Sequence, residues 1–335
     1  MRRSGRLMTT MLVGAALLGL AACGDDDPAV APSDTTDDTG ATASTLPKFD
    51  AGTTMAKLQT AGKMVVGVKF DLPGFGLKNP TTSEVEGFDV EIAKLLGAAI
   101  FGGTAEEAGA KIEFVEAISK NREPFLQNGT VNLVVSTYTI NDARKALVSF
   151  AGPYFVARQD IMVKASDTSI TKVEDLNGKK VCTVKGSTSE KNVRAKAPQA
   201  DVLLFDLYSQ CAEALGDGRV VAVSTDNTIL AGLVQARAGQ GGDPFKLVKA
   251  PFSDEPYGVG LAKGDEAFRA FLNDRLEEIF ASGEWAAAFA STLGQIGLET
   301  PPTPTVDRYS DTAAPATTVA PATTATSVAT VSSVP

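Results

Sequence analysis

A two-lobed α/β fold is predicted by three features of this 335-residue chain. Short β-branched runs alternate with amphipathic stretches, the pattern of strand and helix units that builds largely parallel sheets. The alternation occupies about 250 residues, Ala51 to Thr300, more than one doubly wound sheet ordinarily uses. With 44% hydrophobic and 21% charged residues, the chain also has enough apolar material for two packed bodies.

The first strand is expected at Met64–Val68, a β-branched run. A helix at Phe88–Ile100 follows: Gly87 permits a tight turn into it, Asp89 and Glu91 suit its positive end, and Ile92, Leu96 and Ile100 form one apolar face. Strands at Lys111–Val115 and Val131–Val135 flank a helix at Arg122–Gln127; a helix at Ala143–Leu147 precedes a strand at Ile161–Val163. Strands at Lys180–Val184, Val202–Phe205, Val220–Ser224 and Lys246–Val248 then interleave with helices at Glu190–Lys196, Cys211–Leu215 and Ile229–Ala238. Helices at Glu266–Ser282 and Trp285–Thr292 close the core. Residues 51–157 with 256–300 are read as lobe 1 and residues 158–255 as lobe 2, linked near Ala157–Asp160 and Pro251–Tyr257. Open α/β sheets bind ligands beyond the carboxyl ends of their strands, so two lobes place such edges on both walls of one cleft.

Asp and Glu (40) outnumber Lys and Arg (31), for a net charge of −9, and there is no histidine. Ser-His-Asp and Cys-His catalysis, a His-ligated zinc and a histidine pH switch are therefore excluded. Acidity also argues against nucleic acid as a partner, since phosphate would be repelled.

The flanks differ from the core. Residues 1–22 carry Arg2, Arg3 and Arg6 and then run apolar from Met11 to Ala22, the layout of a secretory signal and too short for a comfortable membrane span. Removing those three arginines and no acid takes the net charge from −9 to −12. Residues 23–50 hold seven Asp and one Lys among Thr, Ala, Pro and Ser, and read as an acidic flexible tether. The Asp25–Asp27 run lacks the turn glycine and spaced Glu that would converge on calcium. Residues 301–335, dominated by Thr, Ala, Pro, Val and Ser, read as a disordered low-complexity tail.

Leu20-Ala21-Ala22-Cys23 resembles a bacterial lipobox, which implies a diacylglycerol-modified Cys23 as the mature N-terminus. Within the core, Gly87-Phe88-Asp89-Val90-Glu91-Ile92 with Leu96, Gly97 and Ile100 resembles the signature of bacterial extracellular solute-binding proteins of the polar amino-acid family, which feed ABC transporters. Further landmarks follow in that family's order: Asn128-Gly129-Thr130-Val131-Asn132, Thr139-Ile140-Asn141-Asp142-Ala143-Arg144, Phe150-Ala151-Gly152-Pro153-Tyr154, Lys185-Gly186-Ser187-Thr188-Ser189, Asp226, and Pro256-Tyr257-Gly258-Val259-Gly260-Leu261. Asn132 stands where the family often has Asp, and Asn141 where it often has Thr. The resemblance spans about Lys63 to Leu293 and implies the type II periplasmic-binding-protein fold, with no cofactor and no metal.

An α-amino acid offers a carboxylate and an ammonium, and the planar fork of arginine matches a carboxylate best. The resemblance gives that role to Arg144, with a hydroxyl from Thr139 and the Thr137 carbonyl toward the ammonium. From the facing lobe, the Gly186-Ser187-Thr188 turn, chiefly Thr188, offers backbone N–H groups at a helix start, and Asp226 supplies the charge an ammonium needs. Ser119-Lys120-Asn121-Arg122-Glu123-Pro124-Phe125-Leu126 resembles the S-x-N-R-x-P-x-L segment of the glutamate/aspartate-binding branch, in which the serine and arginine hold a second carboxylate. Ser119 and Arg122 match it, and Lys69 falls where that branch carries another cation.

Beyond Cys23, two cysteines remain. Cys182, on a strand, and Cys211, at a helix start, would pair in an oxidising compartment; two buried free thiols are the alternative. The expected protein is a monomeric, lipid-anchored glutamate- or aspartate-binding lipoprotein on the extracytoplasmic face of the cell membrane, delivering its ligand to an ABC permease. A glutamine- or asparagine-binding protein is the nearest rival. An enzyme on this scaffold would need a cleft acid or base beyond Asp226, for which Asp71 is the candidate.

Overall fold

The computed structural model describes residues 46–310. Helix α1 (Thr54–Ala61), opened by the Thr53 hydroxyl accepting from the Ala56 N–H and closed by Gly62, leads into strand β1 (Met64–Val68). A small antiparallel sheet of β2 (Asp71–Leu72), β3 (Gly76–Lys78) and β4 (Val85–Glu86) precedes helix α2 (Phe88–Phe101). Gly87 at the head of α2 has φ 131°, and a Cβ there would lie 2.4 Å from the Phe75 carbonyl, so the turn requires glycine. Helix α3 (Ala105–Gly109), β5 (Ile112–Glu116), a 3₁₀ turn at Ser119–Asn121, α4 (Arg122–Gln127), β6 (Leu133–Val134) and α5 (Asp142–Lys145) follow. The long strand β7 (Ser149–Lys164) crosses to the second half: β8 (Lys180–Val184), α6 (Thr188–Lys196), β9 (Asp201–Phe205), α7 (Tyr208–Gly216), β10 (Ala222–Asp226), α8 (Asn227–Gly239) and β11 (Phe245–Leu247). Strand β12 (Ser253–Leu261) crosses back, and α9 (Glu266–Ser282) and α10 (Glu284–Ser291) finish the body.

Strand order β5-β1-β6-β12-β7-β10-β8-β9 describes two parallel groups joined through an antiparallel ribbon. On one side β1 pairs in parallel with β5 and β6; on the other β8 pairs in parallel with β9 and β10. Between them β7 and β12 run antiparallel, from Ser149↔Leu261 to Gln159↔Ser253. The largely parallel expectation therefore holds within each group and fails at the crossing. The 16-residue β7 exceeds the predicted Ile161–Val163: pairing with β12 extends it back to Ser149, through Gly152 and Pro153. Under the ribbon, Phe75, Phe88, Tyr154, Phe155, Tyr257, Trp285 and Phe289 are all buried, and the Trp285 indole N–H donates to the Tyr154 carbonyl at 2.8 Å. This aromatic packing fixes the crossing strands against α2 and α10.

The flanking segments need one correction. Pro47, assigned to the tether, accepts from the Gln59 side chain, and the Phe49 ring meets Phe271 edge-on at 5.4 Å. Residues 301–310, assigned to the disordered tail, are docked as well. The Asp307 N–H donates to the Gly152 carbonyl, the Tyr309 hydroxyl accepts from the Phe150 N–H at 2.8 Å, and Arg308 bridges Asp274 and Glu277. Averaging composition over the tail hid the one stretch, Val306-Asp307-Arg308-Tyr309, that has charged and aromatic side chains to dock. The signal segment, Cys23 and the tail beyond residue 310 lie outside the described residues.

Candidate functional site

The chain reverses direction at the carboxyl ends of β1, β6, β8 and β10, and polar side chains gather there from both groups of strands. Lys69, just past β1, is 1% exposed and donates from Nζ to Ser119 Oγ at 3.0 Å. Burial, reinforced by the Arg122 charge, lowers its ammonium to about 7. Arg122, 2% exposed at the head of α4, donates from Nη1 to the Ser136 and Thr137 carbonyls (2.9 and 3.1 Å) and from Nε to the Ser119 carbonyl (3.3 Å). Neither Lys69 nor Arg122 pairs with a carboxylate among the described residues.

Arg144 is held differently. Its Nε donates to Glu123 Oε1 (3.1 Å), Nη1 to the Thr139 carbonyl (2.7 Å) and Nη2 across to the Gly186 carbonyl (3.2 Å). Burial and Arg122 lower its guanidinium to about 10, against the opposing pull of Glu123. Both guanidinium groups lie over the Tyr138 ring, at 4.4 Å for Arg122 and 4.9 Å for Arg144. Asn141 caps α5 by accepting from the Arg144 N–H at 3.0 Å, so its amide oxygen fulfils the capping role at that position. Asn132 likewise ties β6 to β1 through the Val65 N–H.

Thr137 has φ 42°, a left-handed conformation costly for a β-branched residue. Its N–H is fixed by Asp89 Oδ2 at 2.9 Å, and Asp89 Oδ1 accepts from the Tyr154 hydroxyl at 2.6 Å. Asp89 is fully buried, and that burial pushes its carboxyl up to about 7. Through this strut, helix α2 sets the backbone whose carbonyls orient Arg122.

On the facing wall, Ser187 caps α6 by accepting from the Glu190 N–H, while the Gly186 N–H donates to Glu190 Oε2. Two of the turn's backbone donors expected to await an anion are therefore already engaged: Gly186, and Ser187, whose N–H donates to the Val184 carbonyl at 3.2 Å. The Thr188 hydroxyl donates to Glu255 Oε2 at 2.7 Å and lies 3.4 Å from the Thr139 hydroxyl across the cleft. Asp226 accepts from the Tyr257 hydroxyl at Oδ2 (2.5 Å), and its buried Oδ1 has no hydrogen-bond partner among the described residues. Burial, with Glu255 nearby, pushes the Asp226 carboxyl up to about 7.

Ser119, Arg122, Thr137, Thr139, Thr188 and Asp226 line one cavity with Ser187, Ser189, Tyr208 and Ile229. Lys69 reaches it through Ser119, and Arg144 through the Thr139 and Gly186 carbonyls. The cavity volume is about 10 Å³, room for a single water. An amino acid therefore enters only when the walls part. Sequence reasoning did not assign Glu123, Asp89, Tyr138 or Glu255. Glu123 lies inside the Ser119–Leu126 motif and Glu255 beside the one that starts at Pro256, but nothing local signals their partners. Cys182 and Cys211 form a disulfide with Cα atoms 5.5 Å apart, as expected. No helix among the described residues is long and apolar enough to cross a membrane.

A two-lobed α/β body with a polar cleft at its strand ends is the architecture of a solute-binding protein. Residues 64–295 match the bacterial extracellular solute-binding proteins, family 3, and the chain belongs to that family. It is 41% identical over 233 residues to the ABC transporter glutamine-binding protein GlnH of Bacillus subtilis (strain 168), covering 69% of this chain and 81% of that one. It is 38% identical over 243 residues to the glutamate-binding protein GluB of Corynebacterium glutamicum, covering 70% and 79%. Among solved structures, an ancestral arginine-binding protein bound to glutamine superposes with a TM-score of 0.62 at 35% identity, covering 70% of this chain and 98% of that one.

Proposed function

We propose that this protein captures an acidic amino acid, glutamate or aspartate, by closing its lobes around it, and delivers it to an ABC permease. The observation that carries the reading is the pair of buried cations, Lys69 and Arg122, bonded only to neutral acceptors among the described residues. A buried cation whose carboxylate neighbours act only at a distance is costly, and a ligand carboxylate in contact with it would relieve that cost. In this reading Ser119, Arg122 and Lys69 hold the side-chain carboxylate, and Arg144 and Thr139 take the α-carboxylate. Asp226, through its unpartnered Oδ1, takes the ammonium with the Thr137 carbonyl, and Thr188 closes from the opposite wall. Lipid on Cys23 and the acidic segment after it would keep the protein beside its permease on the outer face of the membrane.

Glutamine is the second reading, favoured by the identity to the glutamine-binding protein GlnH. Calorimetric titration of the purified chain with glutamate, aspartate, glutamine, asparagine and arginine separates the two. Acidic ligands are expected to bind at least about tenfold tighter than their amides, one charged contact's worth. Glutamine binding tenfold tighter than glutamate would overturn the assignment of Lys69 and Arg122.

A further inference from the structure

Closure brings the lobes together outside the cavity as well as in it. On the rim, Lys120 Nζ lies 2.7 and 2.6 Å from the two carboxylate oxygens of Asp206. Gly186, at φ 79°, sits so near Lys120 that a Cβ would lie 3.0 Å from its Cα. On another side of the cleft, the turn after β2 lies against α8, where a Cβ on Gly232 would meet the Pro73 carbonyl at 2.5 Å. Beside that turn, Asp71 reaches across to α7.

Helix α7 has a defect that this contact repairs. Its N-cap position is Leu207, whose side chain has no oxygen to accept from the first turn. The N–H of Ser209, second residue of the helix, donates instead to Asp71 Oδ2 at 3.2 Å, and the Ser209 hydroxyl to the same oxygen at 3.3 Å. The carboxylate also faces the positive end of the helix dipole. Asp71 does not line the closed cavity; with Pro73, Ser209 and Leu233 it borders a separate pocket on the side of α7 and α8. We propose that Asp71 is a closure-dependent cap: it completes the N-terminus of α7 only when the lobes meet, and so raises affinity for whatever ligand closes the cleft.

The inference rests on the reading that the chain closes on an amino acid, and it concerns how tightly, not which. It differs from a ligand-binding role for Asp71 in a measurable way. A serine at position 207 would cap α7 from within, in open and closed states alike, and remove the advantage that closure confers. The Asp71 charge also reaches Lys69, so coupling to position 207, and not the loss of the charge alone, is the discriminating result.

The experiment is a double-mutant cycle of Asp71→Ala and Leu207→Ser in the full chain, with glutamate and glutamine affinities read by calorimetry and exchange of the Ser209 amide read by hydrogen-deuterium exchange. Asp71→Ala is expected to weaken the affinity for each ligand that binds by about fivefold, the usual scale of a lost cap. In the Leu207→Ser background the same substitution should cost less than about twofold. An equal cost in both backgrounds, or none in either, would overturn the proposal. Should Asp71→Ala not fold, Asp71→Asn is read by the same cycle with a smaller expected loss. Should neither amino acid bind, the functional reading has failed and the exchange data alone decide: Ser209 deprotected by Asp71→Ala and reprotected by Leu207→Ser upholds the cap, and unchanged protection rejects it.

Discussion

Two arginines of the same lobe share one aromatic ring and are otherwise opposites. Arg144 has a carboxylate, Glu123, within 3.1 Å; Arg122, with Lys69 beside it, has only carbonyl and hydroxyl oxygens. Neutralised within the protein, the Arg144 end can hold a carboxylate by geometry without demanding one electrostatically. The Lys69–Arg122 end is hydrogen-bonded only by neutral oxygens, with Asp71, Glu116 and Asp89 acting on Lys69 at a distance, and in the proposed reading that is the end that takes an anionic group. The proposed function gives generality toward amino acids and selectivity among them to different ends of one wall.

Substitutions that remove each end should separate these properties. Arg144→Ala should weaken every amino acid by more than about 100-fold, since two or more charged hydrogen bonds are lost. Asp226→Asn, on the facing wall, should cost about 30-fold for all α-amino acids alike, because the ammonium loses its counter-charge. Arg122→Ala should weaken glutamate about 20-fold yet glutamine less than threefold. Equal losses for Arg122→Ala and Arg144→Ala across a calorimetric panel would erase the distinction between the ends.

A change remote from both ends should move stability and leave affinity alone. The Cys182–Cys211 bridge spans 29 residues and is worth about 3.5 kcal/mol on chain entropy, so replacing both with alanine should lower Tm by about 7–14 °C. Kd should be unchanged in that variant.

Lys69 gives a smaller, signed effect. With its ammonium lowered to about 7 in the folded state, from 10.5, the cost of burying it is fully present below pH 7 and disappears as pH rises toward the unfolded value. Lys69→Met should therefore raise Tm of the unliganded chain by a few degrees at pH 6 and by less at pH 9, while weakening glutamate. In the wild type at pH 8, a glutamate carboxylate beside Lys69 should draw up to about one proton onto the protein, visible as a buffer-dependent binding enthalpy. Proton release there would contradict the placement.

The fold was readable where local pattern decides it. The ranges of β1, β8, α4 and α9 follow directly from β-branched runs and helical periodicity. The two- and three-residue strands of the small sheet have no period to detect, and β7 runs far beyond its apolar Ile161–Val163 end because pairing with β12, not local pattern, sets its length. At the site, motif resemblance pointed to six side chains that line one cavity. What it could not supply were partners set by tertiary packing: Glu123 on Arg144, 21 residues away, the Gly186 carbonyl at 42, and Glu255 on Thr188 at 67. Those contacts decide which cations are neutralised, so the charge demand at Lys69 and Arg122 becomes visible only in three dimensions.

The most direct test of that demand is competition. The purified chain is incubated with equimolar glutamate and isotopically labelled glutamine, and the retained ligand is identified by native mass spectrometry. The cationic end at Lys69 and Arg122 predicts that glutamate occupies at least about nine-tenths of the bound protein, the result of a tenfold preference. Predominant retention of glutamine would contradict the account.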